Sequence, residues 1–526
     1  MGLLSKLNPF RSKAATKAKP QEFTAEMVAN AARLMKGSYD AARTEDGLKN
    51  YWANADAFDA DSAHSPLVRQ TLVKRSRYEL ANNGYADGIA QTYATDLVGV
   101  GPALRMQTQS KGFNQLVERT WWEWTQAVHF RRKLWCMAHA KHGDGESLAT
   151  LRLNPRIRHA IKLDVVLHET EQCASPGLAF NGSGIDGIPS FDQYGNPLVY
   201  EFLKHHPGSN NHFSANNDSE LIAADRVLHW FKMRRPGQHR GVPECASTLN
   251  LGASFRRLRE ANLSTAEKVA AWTLMLKTAF EPSEDAAVSA AALSTLDIVH
   301  GMMTALPNTM EPVQLKAEQP GPQYDSFHKS LLNEQARPKS MPYNKAACDS
   351  SSYNYASGRL DHQTYYGSLD VDREDGNDLV LEPVFALWFD LAISKFGWLG
   401  GNPDAVSAGA RYHVWDWPKH RVADVEAEAN ANKTKLESCQ IGLHRLYSDA
   451  GMDLEDELEK MAETFGMEVD ELRTRLVDVI FPPPKQNTPQ ASPASDPADS
   501  AVSAILKRLE PRGIPHANGN GAAYAN

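Results

Sequence analysis

Two groups of histidine and acidic residues contain the side chains that could carry out chemistry. They are His139, His142, Asp144 and Glu146 in one group, and His205, His206 and His212 in the other. Imidazole and carboxylate groups can hold a divalent cation, which would activate water for hydrolysis. Neither group has a recognised zinc spacing such as His-Glu-x-x-His, and both fall in predicted turns. The preferred interpretation is surface or turn histidines without a metal.

Other signatures of catalysis are missing from the sequence. There is no Gly-x-Ser-x-Gly nucleophile elbow, and no Gly-x-x-x-x-Gly-Lys-Ser/Thr loop that would hold the phosphates of ATP. The chain is therefore not predicted to be an ATP-driven motor. We predict no catalytic residue, no metal and no cofactor. A metal-dependent hydrolase that processes DNA remains the alternative from another functional class.

A third set of candidate residues is basic. Arg337, Lys339 and Lys345 lie in a segment rich in proline, lysine, asparagine and serine, from Arg337 to Ser352, between two pieces of helical length. Such a loop suits a surface that slides along an anion, because lysine and arginine contact phosphates without reading bases. The competing interpretation is an ordinary solvated surface loop.

Composition limits the class of protein. The 526 residues carry a net charge of −8, which argues against a protein that coats nucleic acid tightly. An acidic wall is compatible with a conduit through which nucleic acid passes. The five cysteines have no Cys-x-x-Cys spacing, as expected in a reducing compartment. No apolar run is long enough to span a membrane.

The elements that must position these residues are mostly helical, with a β-rich region in the first half. Hydrophobic periodicity predicts helices at Phe23 to Lys49, Pro66 to Val98, Asn114 to His129, Leu251 to Leu276, Val422 to Tyr447 and Leu454 to Val477. Alternation predicts strands at Leu104 to Gln107, Ser147 to Leu153, Leu198 to Phe202 and Val313 to Lys316. The predicted fold class is α+β.

Two apolar stretches predict packing. Trp121, Trp122 and Trp124 cannot all face one side of a helix, so some are expected in the core and one could reach a neighbouring subunit. The run from Leu379 to Ile393 is apolar almost all round. A helix of that kind must be buried on several sides, as in a subunit of a larger assembly.

Several short segments occur in an order that resembles the lambda-type portal proteins of tailed bacteriophages. The resemblance covers roughly residues 50–470. The segments are Asn82-Asn83-Gly84-Tyr85-Ala86, Asp96-Leu97-Val98-Gly99, Gly143-Asp144-Gly145-Glu146-Ser147, Arg240-Gly241-Val242-Pro243, Asn354-Tyr355-Ala356-Ser357-Gly358-Arg359, Asp416-Trp417 and Ile441 to Asp453. After Ser330-Leu331-Leu332, where family members usually have a short apolar stretch, this chain has Asn333 to Lys339 instead.

The resemblance implies a portal fold with a mixed α/β wing, a long helical stem, a small α/β clip, a helical crown and disordered termini. The implied regions are an N-terminal arm (1–49), wing (50–243), first stem helix (244–280), clip (281–323), second stem helix (324–335), tunnel loop (336–352), long wing helix and return to the wing (353–421), crown (422–480) and disordered tail (481–526).

The implied function is a ring of copies, usually twelve, at one capsid vertex of the virion, assembled in the host cytoplasm. Its channel would pass double-stranded DNA during packaging and ejection. Implied partners are the terminase large subunit, the major capsid or scaffolding protein and head–tail connector proteins. In the ring, Arg337, Lys339 and Lys345 would form a girdle of cations facing DNA. A capsid protein of another kind remains a third interpretation.

Overall fold

The computed structural model describes residues 50–176, 184–210, 218–271, 275–278, 310–313, 323–351, 353–420, 425–449, 452 and 454–481. The chain divides into two compact units. The first contains residues up to 99 together with 120–407, and the second contains 100–119 and the residues from 408 onward. The predicted helix at Phe23 to Lys49 and the predicted disordered termini lie outside the described residues, except Phe481.

The first unit is built mainly of helices. They are α1 (Ala60–Ala63), α2 (Pro66–Asn82), α3 (Gly84–Val98), the C-terminal part of α4 (Lys111–Ala127), α5 (Phe130–Gly143), α6 (Leu249–Ala271), α7 (Tyr324–Ala336), α8 (Tyr343–Ala347), α9 (Tyr355–Gly376) and α10 (Glu382–Phe396). No helix in the described ranges is long and apolar enough to cross a membrane.

Three small antiparallel sheets belong to this unit. Their strands are β2 (Glu146–Leu153), β3 (Leu163–His168), β4 (Ser190–Phe191), β5 (Pro197–Leu203), β6 (Ser219–Ala223), β7 (Val227–Phe231), β8 (Met275–Thr278) and β9 (Met310–Val313). The strand orders are β3-β2-β7, β4-β5-β6 and β8-β9. In the first sheet, Leu148 pairs with His168 on one side and with His229 on the other.

The second unit has one two-stranded sheet and short helices. Strand β1 (Ala103–Met106) pairs antiparallel with β10 (His413–Asp416). The remaining elements are α11 (Val425–Glu437), α12 (Leu443–Asp449), α13 (Leu454–Phe465) and α14 (Val469–Ile480). The predicted single helices Val422 to Tyr447 and Leu454 to Val477 are each two helices. The predicted α+β class is confirmed.

The predicted helix from Pro66 to Val98 is also two helices, and the reason is local. Asn83 has extended backbone angles and its side chain accepts a hydrogen bond from the amide of Tyr85, at 3.3 Å. Asparagine is a favoured N-cap because its oxygen satisfies an amide that has no partner within the helix. Helix α3 ends as expected at Gly99, whose φ is 55°.

The predicted helix from Leu251 to Leu276 ends earlier than its apolar stripe suggested. Helix α6 ends at Ala271, and Leu276, which continued the stripe, lies in strand β8. Short apolar runs fit both the helical period and the strand period, so the apolar stripe alone could not locate the end of the helix. The segment from Tyr324 is helical as predicted, but Arg337 to Ser352 is not an open loop. It contains a 3₁₀ turn, Arg337–Lys339, and helix α8.

Helices α9 and α10 form one continuous helical segment with a wide turn between them. The segment Asn377–Leu381 is a π-helix, and the amide of Glu382 donates to the carbonyl of Asn377. Pro383 follows at once; it lacks an N–H, and its ring would clash with the carbonyl four residues earlier. A widened turn relieves that clash, so the helical segment continues past the proline.

The predicted division of the three tryptophans is confirmed. Trp124 is fully enclosed and Trp121 is nearly so, whereas Trp122 is 62% exposed. The Trp121 ring lies 5.0 Å from that of Trp388, which belongs to the apolar run in α10. Helices α4 and α10 therefore share the aromatic core of the first unit. Whether Trp122 reaches a neighbouring subunit stays a prediction.

Candidate functional site

Two of the glycine-containing sequence motifs meet in the structure. Gly145 precedes β2 with a φ of 89°, and the backbone of Gly241 lies directly against it. A Cβ atom placed on Gly241 would lie 2.2 Å from the carbonyl oxygen of Gly145, so neither position has room for a side chain. This contact between backbones brings Glu146 beside Arg240, although 94 residues separate them.

Glu146 is the centre of a buried ionic group that we call the Glu146 cluster. Its members are Glu146, Arg240, His229, Thr170, Arg69 and Asp186. Arg240 donates to Glu146 from Nε, at 3.1 Å to Oε1, and from Nη2, at 2.5 Å. Thr170 and the amide of Gly241 also donate to this carboxylate, the latter at 2.8 Å. Its buried negative charge is therefore surrounded by donors, as a charge away from water requires.

The guanidinium groups of Arg240 and Arg69 have further hydrogen-bond and ion-pair partners within and around the Glu146 cluster. Arg240 also donates to the carbonyls of Cys173 and Asp186, at 2.9 and 2.6 Å, and Arg69 pairs with the Asp186 carboxylate. Burial alone would raise the pKa of Glu146, but Arg240 and the hydrogen bond from His229 hold that pKa well below its usual range. The carboxylate is thus fixed as an anion and has no role as a proton donor.

A second group, the Lys141 cluster, contains Lys141, Lys339, Glu244, Asp372 and Tyr93. The Lys141 ammonium donates to Glu244 at 3.1 Å and to Asp372 at 3.0 Å. The Lys339 ammonium pairs with Glu244 and, at 3.4 Å, with Asp372. The Tyr93 hydroxyl donates to Asp372 at 2.9 Å. All five side chains are buried.

The Lys141 cluster joins five parts of the fold. Lys141 is on α5, Tyr93 on α3, Asp372 on α9, Glu244 just before α6, and Lys339 in the turn after α7. Burial lowers the pKa of Lys339 to about 8, against the opposing effect of Glu244. Burial would raise the pKa of Glu244, but Lys339 and Lys141 together lower it. The charges of two cations and two anions offset one another, so the cluster has a structural role and holds these five parts of the fold together.

The three predicted DNA-facing cations occupy different environments. Arg337 is exposed. Lys345 is half-buried, and its ammonium pairs with Asp96 at 2.7 Å. Lys339 is only 3% exposed and its charge is held by the two carboxylates of the Lys141 cluster. The expectation of a loop presenting all three cations to solvent is therefore corrected for Lys339, whose ammonium is unavailable to phosphate in this conformation.

The first candidate group for metal binding, for which the sequence favoured histidines without a metal, does not converge. His139 and His142 lie on α5, not in a turn, and His142 is buried. Asp144 forms two hydrogen bonds with Arg77, both at 2.8 Å. Glu146 is committed to the Glu146 cluster. Each of these carboxylates already has an arginine as its cation.

One convergent set of metal-ligand atoms occurs within the described residues. It includes His206, which belongs to the second candidate group from the sequence. Glu169, Glu171 and His206 place one ligand atom each within 4.8 Å of one another. Arg77 donates to both carboxylates, at 3.1 and 3.0 Å. The guanidinium supplies the positive charge that a metal would bring, so this set is an ion-pair network. His212 lies outside the described residues.

Sequence reasoning missed most residues of the two clusters. Lys141 carried one usable signal, because it follows Leu134 and Ala138 at helical spacing, on the stripe that faces the core. A lysine on such a stripe predicts a buried partner of opposite charge. Nothing in the sequence named Glu244 or Asp372 as that partner. The sequence also did not indicate that the Arg256 guanidinium contacts the Glu79 carboxylate, at 2.9 Å.

Buried His142 gives the protein a pH dependence. Burial lowers the pKa of His142 to about 3, and the neighbouring Lys339 acts in the same direction. The unfolded chain takes up a proton near pH 6.5 and the folded chain does not, so acid favours unfolding between those values. We expect His142→Leu to reduce the loss of unfolding free energy between pH 7.5 and pH 4.5 by about 2 kcal/mol.

Urea unfolding at the two pH values measures this effect. Met137→Leu is the matched control, since Met137 is buried on the same helix and does not titrate. The control should keep the full pH dependence. Equal pH dependence in His142→Leu and in the unaltered protein would show that His142 titrates normally in the folded state.

Comparison with known proteins gives the family. The family model described as "Phage portal protein, lambda family" matches residues 12–370. A probable portal protein of Halomonas phage phiHAP-1 is 22% identical over 446 residues, covering 79% of this chain and 84% of that protein.

Solved structures show weaker likenesses. The neck of a native gene transfer agent particle, computed with C12 symmetry, is 11% identical with a TM-score of 0.41, covering 74% of this chain and 94% of that one. An HK97 family phage portal protein from Corynebacterium diphtheriae is 10% identical with a TM-score of 0.27, covering 55% and 85%. Both scores are low, and the assignment does not rest on them. Because the family model matches well over half of its residues, the chain belongs to the lambda family of phage portal proteins.

Proposed function

We propose that copies of this chain close into a ring, of twelve subunits, at one vertex of the capsid. The ring surrounds a channel for double-stranded DNA during packaging and ejection. Membership of the portal family carries this proposal. The proposed partners are the terminase large subunit, the major capsid or scaffolding protein and the head–tail connector proteins. The proposed location is the virion, after assembly in the host cytoplasm.

The regions of the ring follow the division given above into wing, stem, clip, tunnel loop and crown. Two of the proposed boundaries are drawn to follow the helices and strands. The first stem helix ends at Ala271, and the strand pair β8-β9 begins within the range first given to that stem. The tunnel loop consists of the Arg337–Lys339 turn and α8, fastened to the wing by Lys339 and Lys345.

Within the tunnel loop, Arg337 is the residue proposed to face DNA. It is exposed, and it lies two residues from Lys339, whose buried ammonium fixes the local backbone. Ring symmetry would repeat one exposed guanidinium per subunit around the channel. Contacts of that kind are independent of base sequence and sensitive to salt, as movement along a duplex requires.

The proposed role is structural and not enzymatic. The hydrolase alternative needs a bound cation, and the one convergent set of ligand atoms in the described ranges already binds Arg77. The clusters that remain are ion pairs with their charges matched. No observation favours a hydrolytic role over a structural one.

The proposal is tested in two steps. Electron microscopy and native mass spectrometry of the purified full chain should show a closed ring with a central hole. Phage assembled with Arg337→Glu should then form normal rings but package less DNA, because each subunit presents a repelling charge to the duplex. Arg158→Glu, which reverses another exposed arginine, is the matched control and should package normally.

Two results would contradict the proposal separately. A chain that stays monomeric at high concentration and with its capsid partners would remove the ring. Normal packaging by Arg337→Glu rings would leave the ring intact but remove the role of Arg337 at the channel.

A further inference from the structure

Helix α2 carries an outward face that is apolar and basic. Leu67 and Tyr78 are 65% and 55% exposed, at either end of a stripe that contains Thr71 and Lys74 between them. Arg75 is exposed beside the stripe, and no acidic side chain is exposed on this helix. Large exposed apolar groups arranged on one stripe are typical of an interaction surface. We call this stripe with Arg75 the α2 face.

Helix α9 carries a face of the same length and opposite charge. Leu360 and Val371 are 65% and 56% exposed, with Thr364 and Gly367 between them on the stripe. The exposed acidic side chains of α9 and of the π-helical turn are Asp361, Asp370, Glu374 and Asp378, against one exposed cation, Arg359. We call this stripe with its acidic residues the α9 face.

The two faces match in spacing. Leu67 and Tyr78 are three helical turns apart, as are Leu360 and Val371, and each pair spans about 16 Å along its helix axis. Residues at these spacings line one side of a helix. Two apolar stripes of equal length, one edged by cations and the other by anions, can pack along each other with opposite charges adjacent.

We propose that the α2 face of one copy of this chain docks on the α9 face of the next copy. The inference deepens the proposed ring by naming the surfaces that join its subunits. Contact between two different faces of identical chains is heterologous, and contacts of that type generate closed rings when the rotation between neighbours closes. A two-fold dimer would instead have to form the α2–α9 contact twice across its axis, whereas each contact in a ring uses one face from each neighbour.

Charge complementarity identifies a second copy as the occupant. The positive face and the negative face occur on the same chain, so each copy supplies both halves of the contact. A partner of another kind would need to satisfy only one of them. Because the charges edge the contact, they should control its specificity and its sensitivity to salt.

The experiment reverses the charge on each face in the full chain. Variant one carries Lys74→Glu and Arg75→Glu, and variant two carries Glu374→Lys and Asp378→Lys. Arg156→Glu with Arg158→Glu is the matched control, because both arginines are exposed outside the two faces and the change in net charge equals that of variant one. Native mass spectrometry and analytical ultracentrifugation measure ring formation.

Variants one and two should each need a more than roughly tenfold higher concentration to form rings, because like charges then meet at every subunit contact. The control should assemble normally. A mixture of the two variants should restore rings with alternating subunits, since acidic α2 faces then meet basic α9 faces and the native faces meet each other. A chain carrying all four changes should also assemble alone.

Rescue in the mixture also shows that both variants fold. Normal rings from either single variant, or no rescue in both the mixture and the four-change chain, would overturn the inference. If the unaltered chain forms no ring, the proposed function fails instead. A ring that forms regardless of these charges leaves the proposed function standing and places the subunit contact elsewhere.

Discussion

Replacement of Arg240 by leucine is expected to lower the free energy of unfolding by about 3–5 kcal/mol. The loss arises because Glu146, which is fully enclosed, would keep its charge without its main cation. The remaining donors to that carboxylate are neutral, including His229, because burial lowers the pKa of His229. Neutral hydrogen bonds do not replace a guanidinium in a buried site.

Urea unfolding followed by tryptophan fluorescence measures the change, since Trp230 lies on β7 next to His229. The matched control is Arg152→Leu. Arg152 pairs with Glu220 at 2.8 Å at the surface, where both side chains are well exposed, so its removal should cost less than about 1 kcal/mol. Equal losses of unfolding free energy in the two variants would show that the buried ion pair of Arg240 contributes no more to stability than the exposed ion pair of Arg152.

The double variant Arg240→Leu with Glu146→Leu separates a lost attraction from a stranded charge. If the stranded carboxylate dominates the cost, removing it as well should recover part of the lost stability, and the two single losses should sum to more than the double loss. Additive losses would mean that each side chain acts through packing alone.

The types of the main elements could be predicted from sequence because their patterns are local. Alternation predicted β2, and helical spacing predicted α4 and most of α6. Boundaries were less accessible, because caps and short strands compete with the same apolar pattern. Asn83 divides a periodic stretch by capping α3, and Leu276 satisfies a helical stripe while lying in β8.

The ionic clusters could not be predicted, because their partners are distant in the chain. Lys141 and Asp372 are separated by 231 residues, so only the tertiary fold brings them together. The sequence showed histidines and carboxylates close together near His142, for which a metal site was the less favoured interpretation. The structure gives each carboxylate its own arginine, and an arginine far along the chain leaves no local signal.

The sequence predicted that Arg337, Lys339 and Lys345 share one exposed loop, but the structure gives Arg337 and Lys339 different environments. Composition correctly marked Arg337 as an exposed cation, since charged residues in a polar segment are usually solvated. It could not show that Lys339 turns inward, because that depends on two buried carboxylates, Glu244 and Asp372, which the fold brings to Lys339 from other parts of the chain. The inward lysine fixes the backbone from which the outward arginine projects, so the two have complementary roles.

Gly241→Ala is expected to be at least as damaging as the loss of Arg240, with a cost of about 3 kcal/mol or more. The added Cβ would lie 2.2 Å from the carbonyl oxygen of Gly145 and 2.6 Å from the Cβ of Glu146. These are backbone and near-backbone atoms, which cannot rotate away. Separation of the two segments would also weaken the hydrogen bond from the Gly241 amide to Glu146, now 2.8 Å long.

Gly88→Ala is the control for this substitution. Gly88 lies within α3, and a Cβ there would meet no atom within 4 Å, so alanine should stabilise the helix by about 0.5–1 kcal/mol. Thermal and urea unfolding of both variants should therefore give shifts of opposite sign. Tolerance of alanine at Gly241 would mean that the Gly145 and Gly241 backbones can separate freely, and the Glu146 cluster would then not depend on their contact.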